Sequence, residues 1–159
     1  MKRSVAVGAL LGGLYAATPA AVDLRLIPPH VMVTPSELHW TESEALPPGA
    51  KVAIIQGSLD APGPFIIRIK YPPDYTTPAH RHDAIEHVTV ISGTIHMGSG
   101  DEVDTSKTKA LPPGSVAIMM PGMPHFTWFK EEAIVQVHGN GPWGIHYLNP
   151  RDDPRRKKK

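Results

Sequence analysis

The sequence contains no cysteine. That absence excludes a disulfide framework, a thiolate nucleophile, a cysteine zinc finger, an iron–sulfur cluster and a lipid-anchored cysteine. Long helical patterns are also missing, because no eleven-residue window after residue 20 has a convincing helical period. Proline and glycine are abundant instead, with 18 and 14 copies in 159 residues. This composition favours short extended segments joined by many turns, and therefore an all-β domain.

The first twenty residues have the layout of a secretory signal peptide. The basic start MKR precedes the apolar run VAVGALLGGLYAA, and the small residues TPAA then offer a cleavage site near Ala20. A buried first helix and an uncleaved membrane anchor are the alternatives, although the run is shorter than the ~20 residues that a membrane span requires. We therefore expect an exported protein without stable membrane insertion after cleavage. It would be periplasmic in a Gram-negative host and secreted otherwise.

The charge balance gives no reason to expect a nucleic-acid partner. The whole chain has a formal net charge of +1, and cleavage would remove two basic residues and no acidic one, giving −1. Aromatic residues interleaved with basic ones would favour binding to single-stranded nucleic acid, and the basic run at the C terminus has none. Such charge runs are usually disordered, and contact with an anionic surface is the alternative.

The length of the chain suits one domain, and its organisation is predicted in four segments. Short apolar runs such as KVAIIQG, PFIIRIKY, EHVTVISG and AIVQVHG are bounded by turn residues, which is typical of a sandwich, jelly roll or small barrel. The repeated turns ALPPGAKV and ALPPGSVA predict left-handed glycines at Gly49 and Gly114. The predicted segments are a signal peptide (1–20), an N-terminal arm (21–44), a β-barrel (45–149) and a basic disordered tail (150–159).

Three titratable residues in the stretch AHRHDAIEHV have the spacing of a metal site. His80 and His82 are two positions apart, so a strand would place both imidazoles on one face. Glu86 could reach the same point, directly or across a short hairpin. Imidazole and carboxylate together suit Fe(II), Mn, Ni, Cu or Zn, and the sequence does not decide among these metals.

A second stretch, GSVAIMMPGMPHFTW, offers one more ligand from a distant strand. Gly114, Gly122 and His125 follow one another at G-x7-G-x2-H spacing. Two prolines make a rigid turn that would deliver His125 to the start of a strand.

Together the two stretches resemble the paired motifs of the cupin family. The likeness spans about 100 residues, from Gly49 to Tyr147. Two departures occur in the second motif, where Met120 replaces the usual proline and Phe129 replaces a frequent asparagine, which makes that part of the pocket apolar. The matching positions are His80, His82, Glu86 and Gly93 in the first motif, and Gly114, Gly122 and His125 in the second.

This resemblance implies a double-stranded β-helix, the small jelly-roll barrel of the cupins, with one divalent metal ion inside. Carried over residue by residue, the ligands are His80, His82, Glu86 and His125. Four such ligands would leave two positions of an octahedral ion for water or a small molecule. A barrel that has lost its metal is the alternative. The resemblance also implies a homodimer.

The other histidines and the tryptophans are weaker candidates. His87 should face away from the metal, and His96, His138 and His146 are expected to be structural, like the surface or packing residues Trp128 and Trp143. Gln136 and His138 are the only polar residues that we can suggest for acid–base work, so the catalytic residues stay unassigned.

Two functional classes therefore stay open. One is a metal-dependent enzyme, of oxygenase, decarboxylase or isomerase type, acting on a small organic molecule. The other is a cupin that binds a metal or a small ligand without turnover. A purely structural module is a third and weaker possibility.

Overall fold

The computed structural model of the chain describes residues 30–158. The predicted signal peptide, the first part of the predicted arm and Lys159 lie outside the described residues. The chain divides into two compact units, Met1–Met32 and Val33–Lys159. Residues 30–32, the described part of the first unit, have no regular secondary structure. The fold described below is that of the second unit.

The described part of the second unit is built from strands, which confirms the all-β prediction. Its three short 3-10 helices are Pro35–Glu37, Thr105–Lys107 and Pro154–Lys158. Its strands are β1 (Thr41–Glu42), β2 (Lys51–Gln56), β3 (Gly63–Tyr71), β4 (Tyr75–Arg81), β5 (Glu86–Ser92), β6 (Ile95–Ser99), β7 (Lys109–Leu111), β8 (Val116–Met119), β9 (His125–Phe129), β10 (Ala133–Gly141) and β11 (His146–Tyr147).

These strands form two antiparallel sheets. The six-stranded sheet has the order β1-β2-β3-β10-β5-β8, and the five-stranded sheet has the order β11-β4-β9-β6-β7. Successive segments cross repeatedly from one sheet to the other, so that β4 and β5, neighbours in sequence, belong to different sheets. This connectivity is that of a jelly-roll barrel, as the sequence predicts.

The inner faces of the two sheets build the hydrophobic core. In β3 the buried residues alternate with half-buried ones, and Phe65, Ile67 and Ile69 all point inward with at most 4% of their surface exposed. Each such side chain contributes roughly 1.5–3 kcal/mol through its burial. Tyr71, at the end of β3, stacks on Phe129 of β9 with ring centroids 4.0 Å apart. This aromatic pair joins one sheet to the other.

Glycines supply the left-handed turns that the repeated sequence predicts. Gly49 and Gly114 have φ angles of +106° and +87°, which confirms that both turns place a glycine in the left-handed conformation. Gly93, the last residue of the first motif, has a φ of +69°, and a side chain there would collide with the Glu132 carbonyl oxygen and with Ala133. Only glycine therefore fits the turn after β5.

The C-terminal segment differs from the disordered tail that its charge predicts. Pro154–Lys158 is a short 3-10 helix. Arg155 explains the order, because its guanidinium pairs with Asp153 at 2.7 Å and donates a hydrogen bond to the Ile145 carbonyl oxygen at 2.9 Å. None of the helices within residues 30–158 combines the length and the apolar character that crossing a membrane demands.

Candidate metal centre

A bulge in β4 brings the first two histidines to the barrel interior. The pairing of β4 with β9 matches Thr77 to Thr127 and His80 to His125, so three steps along β4 oppose two along β9. A bulge of this kind reverses which residues of a strand face inward. Thr77 faces inward before the bulge, and His80 and His82 do so after it. Without this irregularity the strand would turn both histidines outward.

Glu86 and His125 arrive from two other strands. Glu86 is the first residue of β5 in the opposite sheet, and it shares the inner face with Val88. The sequence leaves a direct approach or a short hairpin open, and the observed connection is a crossing between sheets. His125 is the first residue of β9 and follows the turn at Gly122, whose N–H donates to the His82 carbonyl oxygen at 2.8 Å. This bond ties the second motif to the first.

The four side chains converge on one point inside the barrel. Ligand atoms of His80, His82 and His125 all lie within 4.8 Å of one another, close enough to hold one metal ion. Glu86 Oε2 lies 3.4 Å from His82 Nε2 and 3.4 Å from His125 Nε2. All four residues are buried, with 3–5% of their surface exposed.

Backbone carbonyls fix the orientation of the three imidazole rings. Each ring uses Nδ1 to contact a carbonyl oxygen, so Nδ1 carries the proton and Nε2 keeps its lone pair for the common point. Such outer hydrogen bonds are typical of histidines that bind metal. The pairs are His80 with Pro78 at 2.7 Å, His82 with Gly144 at 2.6 Å, and His125 with Met123 at 3.1 Å.

Burial favours the form of His80 and His82 that binds metal. It lowers the pKa of His80 well below its usual range, and the neighbouring His125 and His82 lower it further. Burial also lowers the pKa of His82, although the Glu86 carboxylate and the Gly144 carbonyl oppose that shift. A neutral ring retains the lone pair that coordination requires.

The donor set passes a direct test of whether a metal fits. His82 Nε2 is buried and makes no hydrogen bond to any residue that the structure describes. An orphaned acceptor of this kind costs roughly 1–3 kcal/mol, which a bound cation would relieve. Three imidazoles and one carboxylate are ligands that suit Fe, Mn, Ni, Cu or Zn.

A small cavity adjoins this cluster. It measures about 20 Å³ and is lined by His80, Glu86, His125, Tyr71 and Thr127, with apolar residues on the remaining sides. A space of this size accepts an ion or about one water molecule. Tyr71 adds a hydroxyl near Glu86, and burial raises the pKa of this phenol well above its usual range. Phe129, predicted to make the pocket apolar, stacks behind Tyr71.

Trp143 is the principal residue of the site that sequence reasoning missed. It was expected to be a packing or dimer-surface residue, and it does pack, but its partner is His82. The two rings stack with centroids 4.4 Å apart and an interplanar angle of 13°. The same loop supplies the Gly144 carbonyl that accepts from His82. Nothing in the local sequence GPWG signals this role, because the contact joins residues about sixty positions apart.

Four of the histidines that were not predicted as ligands make other contacts. His87 points to the outer face of its sheet, as expected from alternation, and stacks on His138 of β10 with centroids 4.8 Å apart. His96 stacks on Trp128, and His146 contacts the Asp83 carboxylate at 2.8 Å.

Neither polar residue suggested for acid–base work lies at the site. Val135 and Val137 line the interior cavity, so Gln136 and His138 alternate to the outer face of β10. Gln136 accepts a hydrogen bond from Arg68 there. The suggestion was therefore wrong, because strand register cannot be fixed from the sequence alone.

Comparison with solved structures gives the same fold. The polyketide cyclase RemF from Streptomyces resistomycificus aligns with a TM-score of 0.60 at 16% identity, over 79% of this chain and 89% of its own. An RmlC-like cupin from Shewanella frigidimarina aligns at 0.55 and 15% identity, over 68% and 87%. KdgF from a Halomonas species aligns at 0.54 and 16% identity, over 67% and 91%. No protein-family model matches the chain, and no curated protein matches it in sequence.

The fold and the interior cluster together define the class. The chain has the cupin fold, as the paired motifs predict, and its barrel encloses a group of histidines able to hold a metal ion. At these identities the likeness establishes the fold alone. What the protein does must be argued from its own residues.

Proposed function

We propose that this protein binds one divalent transition-metal ion through His80, His82, Glu86 and His125. The observation that carries the proposal is the set of three Nδ1 contacts to backbone carbonyls, which directs three Nε2 lone pairs to one buried point. His82 Nε2 has no hydrogen-bond partner among the described residues, and a bound cation would supply one. The carboxylate of Glu86 would balance part of the charge of the cation.

We further propose that the protein is a metal-dependent enzyme acting on a small organic molecule. A bound ion of this type supplies Lewis-acid or redox chemistry. The chain contributes the ring orientation, a dry apolar surround and the neutral Tyr71 hydroxyl beside Glu86. One protein with this fold is described as a polyketide cyclase, which supports an enzymatic role without identifying the reaction. Oxygenase, decarboxylase and isomerase chemistry all agree with this donor set.

The second candidate is a cupin that binds metal without turnover. The enclosed site favours it, because the adjoining cavity of about 20 Å³ accepts no organic substrate in this conformation. The two candidates therefore differ in whether a small molecule can reach the bound ion.

Cobalt substitution tests both proposals. Metal-free protein should take up close to one Co(II) per chain, and elemental analysis of purified protein should find about one divalent ion. An enzyme with open coordination positions should change its visible spectrum when azide or acetate is added. A spectrum that is insensitive to both anions would favour the non-catalytic candidate, and failure to bind Co(II) or a native metal would remove the metal proposal.

We also propose that the protein is a homodimer. Support comes from Val116 and Ile118, which lie on the edge strand β8 of the described six-stranded sheet and are each 58% exposed. Large exposed aliphatic residues on a sheet edge are typical of a surface that pairs with another chain. Sedimentation velocity should give twice the monomer mass, and Ile118→Lys should shift the species to the monomer.

Export stays a proposal that rests on the sequence of residues 1–20. Mass spectrometry of protein from its native host should find an N terminus near Ala21. A soluble protein that begins at Met1 would contradict it.

A further inference from the structure

A second cavity lies beside the metal centre, between the inner face of β2 and β3 and the loop that carries Trp143. Its volume is about 200 Å³, roughly ten times that of the space at the histidine cluster. Most of its wall is aliphatic. The apolar lining residues are Leu46, Val52, Leu59, Ile67, Ile69 and Ile145.

The charged groups at this cavity leave it without a net charge. Asp60 and Arg155 are the two charged residues on its wall. Arg155 is already engaged, because its guanidinium pairs with Asp153 and donates to the Ile145 carbonyl oxygen. An anionic ligand would therefore lose its hydration without gaining a free partner of opposite charge, and the Asp60 carboxylate is exposed to solvent. An uncharged ligand is the better match.

Trp143 separates this cavity from the metal centre. It lines the cavity, and its ring stacks on His82. Its indole Nε1 is buried, and within the described chain it has no hydrogen-bond partner. Because this N–H has almost no accessible surface, a molecule in the cavity would contact the Trp143 ring and not its N–H.

From these features we infer that the cavity binds a small, uncharged and largely apolar molecule that packs against the Trp143 ring. The size agrees, since a dry cavity of about 150 Å³ accepts benzene. That the bound molecule is a substrate rests on the proposed function, because only the Trp143 ring would then separate it from the proposed ligand His82. That the cavity binds such a molecule rests on the cavity alone.

Acetophenone is a suitable probe because it is a small, uncharged and largely apolar molecule. It would be titrated into zinc-loaded and into metal-free protein while the indole N–H signals are followed by ¹⁵N–¹H NMR. The chain has three tryptophans, and Trp143→Phe assigns the signal in question. The Trp143 signal should move saturably, while those of Trp40 and Trp128 stay in place.

Cavity-filling variants locate the binding site. Leu59→Phe and, as a second choice, Val52→Phe place an aromatic ring into the cavity and should weaken acetophenone binding at least about tenfold, as the loss of a matched apolar pocket implies. The control Ile91→Phe enlarges a residue that is 42% exposed and should leave the dissociation constant unchanged. The NMR spectra themselves report whether each variant is folded.

The outcomes separate this inference from the proposed metal function. A Trp143 signal that stays fixed in protein that binds zinc would overturn the cavity inference and leave the metal proposal intact. Saturable binding that either folded filling variant leaves unchanged would also overturn it. If zinc fails to bind but acetophenone still moves the Trp143 signal, the cavity stands and the metal proposal falls.

Discussion

Two groups of histidines differ in their surroundings, one inside the barrel and one on the outer face of the six-stranded sheet. Inside the barrel, His80, His82 and His125 each contact a backbone carbonyl through Nδ1, and Nε2 of His82 and of His125 lies 3.4 Å from the Glu86 carboxylate. Outside, His87 and His138 stack in parallel, and Nδ1 of each is buried without a hydrogen-bond partner in the described residues. The outer rings are as close as the inner ones, but within residues 30–158 their Nδ1 atoms have no backbone carbonyl partner and no ion pair with a carboxylate is found.

The comparison shows what makes histidines a metal site in this fold. Proximity is common to both groups, since the His87 and His138 ring centroids are 4.8 Å apart and those of His80 and His82 are 5.1 Å apart. Anchored tautomers, a negative partner and exclusion of water distinguish the inner group. The predictions below test these differences separately.

Removing one histidine from each group should have the largest effect. His82→Ala removes a proposed ligand, and we expect it to weaken Co(II) or Zn(II) binding by more than about 100-fold, since the loss of an outer-shell partner alone costs 10–100-fold. His87→Ala should leave the affinity unchanged. Competition with a chromophoric chelator measures both variants. Equal loss in the two variants would mean that the inner group has no special role.

Removing the ring that supports His82 should have an intermediate effect. Trp143→Ala leaves every proposed ligand in place but frees the His82 ring, so we expect about a tenfold loss of metal affinity, as for other outer-shell changes. The matched control is Trp128→Ala, because Trp128 stacks on His96 outside the cluster with centroids 3.9 Å apart. The same chelator assay should detect no change in that control. A loss of the same size in both variants would point to a general effect on folding.

Acid should destabilise the metal-free protein through the inner group. Burial lowers the pKa of His80 and of His82, so between these values and about 6.5 the unfolded chain binds more protons than the folded one. Stability should therefore fall as pH drops below about 6.5, by up to about 1.4 kcal/mol per pH unit for each such histidine. Urea unfolding between pH 7.5 and 5.5 measures the slope. His80→Gln should reduce it, and an unchanged slope would contradict this assignment.

Replacing an outer histidine should have the smallest effect. His138→Val removes a buried Nδ1 that has no partner among residues 30–158 and adds a residue that suits a strand. We expect the free energy of unfolding to change by less than about 1 kcal/mol, within the range of cross-strand pair effects. Metal affinity should not change. A loss of several kcal/mol would show that the outer pair has a structural role that its contacts do not explain.

The sequence predicts much of this arrangement because the motifs encode local geometry. His80, His82, Glu86 and His125 converge as the resemblance implies, and Gly49 and Gly114 take the left-handed conformation that their turns require. The bulge after Thr77 could not be predicted in this way. Ideal strand alternation predicts that His80 and His82 share one face of the strand, but it does not decide which face. The pattern alone therefore could not place them inside the barrel.

The features that escaped prediction depend on long-range packing. Trp143 contacts His82 across about sixty residues of sequence. The 200 Å³ cavity is lined by side chains from β2, from β3 and from the loop that carries Trp143. The Arg155 guanidinium binds the Ile145 carbonyl oxygen and the Asp153 carboxylate in a segment that its composition predicts to be disordered. The Trp143 contact and the cavity have no local sequence signal, whereas the Asp153–Arg155 pair is a local contact within the charge run.

Anomalous diffraction from metal-loaded crystals, recorded at the absorption edge of the bound metal, tests the central claim most directly. The account predicts one peak per chain, within coordination distance of Nε2 of His80, His82 and His125 and of the Glu86 carboxylate. A peak between His87 and His138, or none in protein crystallised with excess metal, would contradict it.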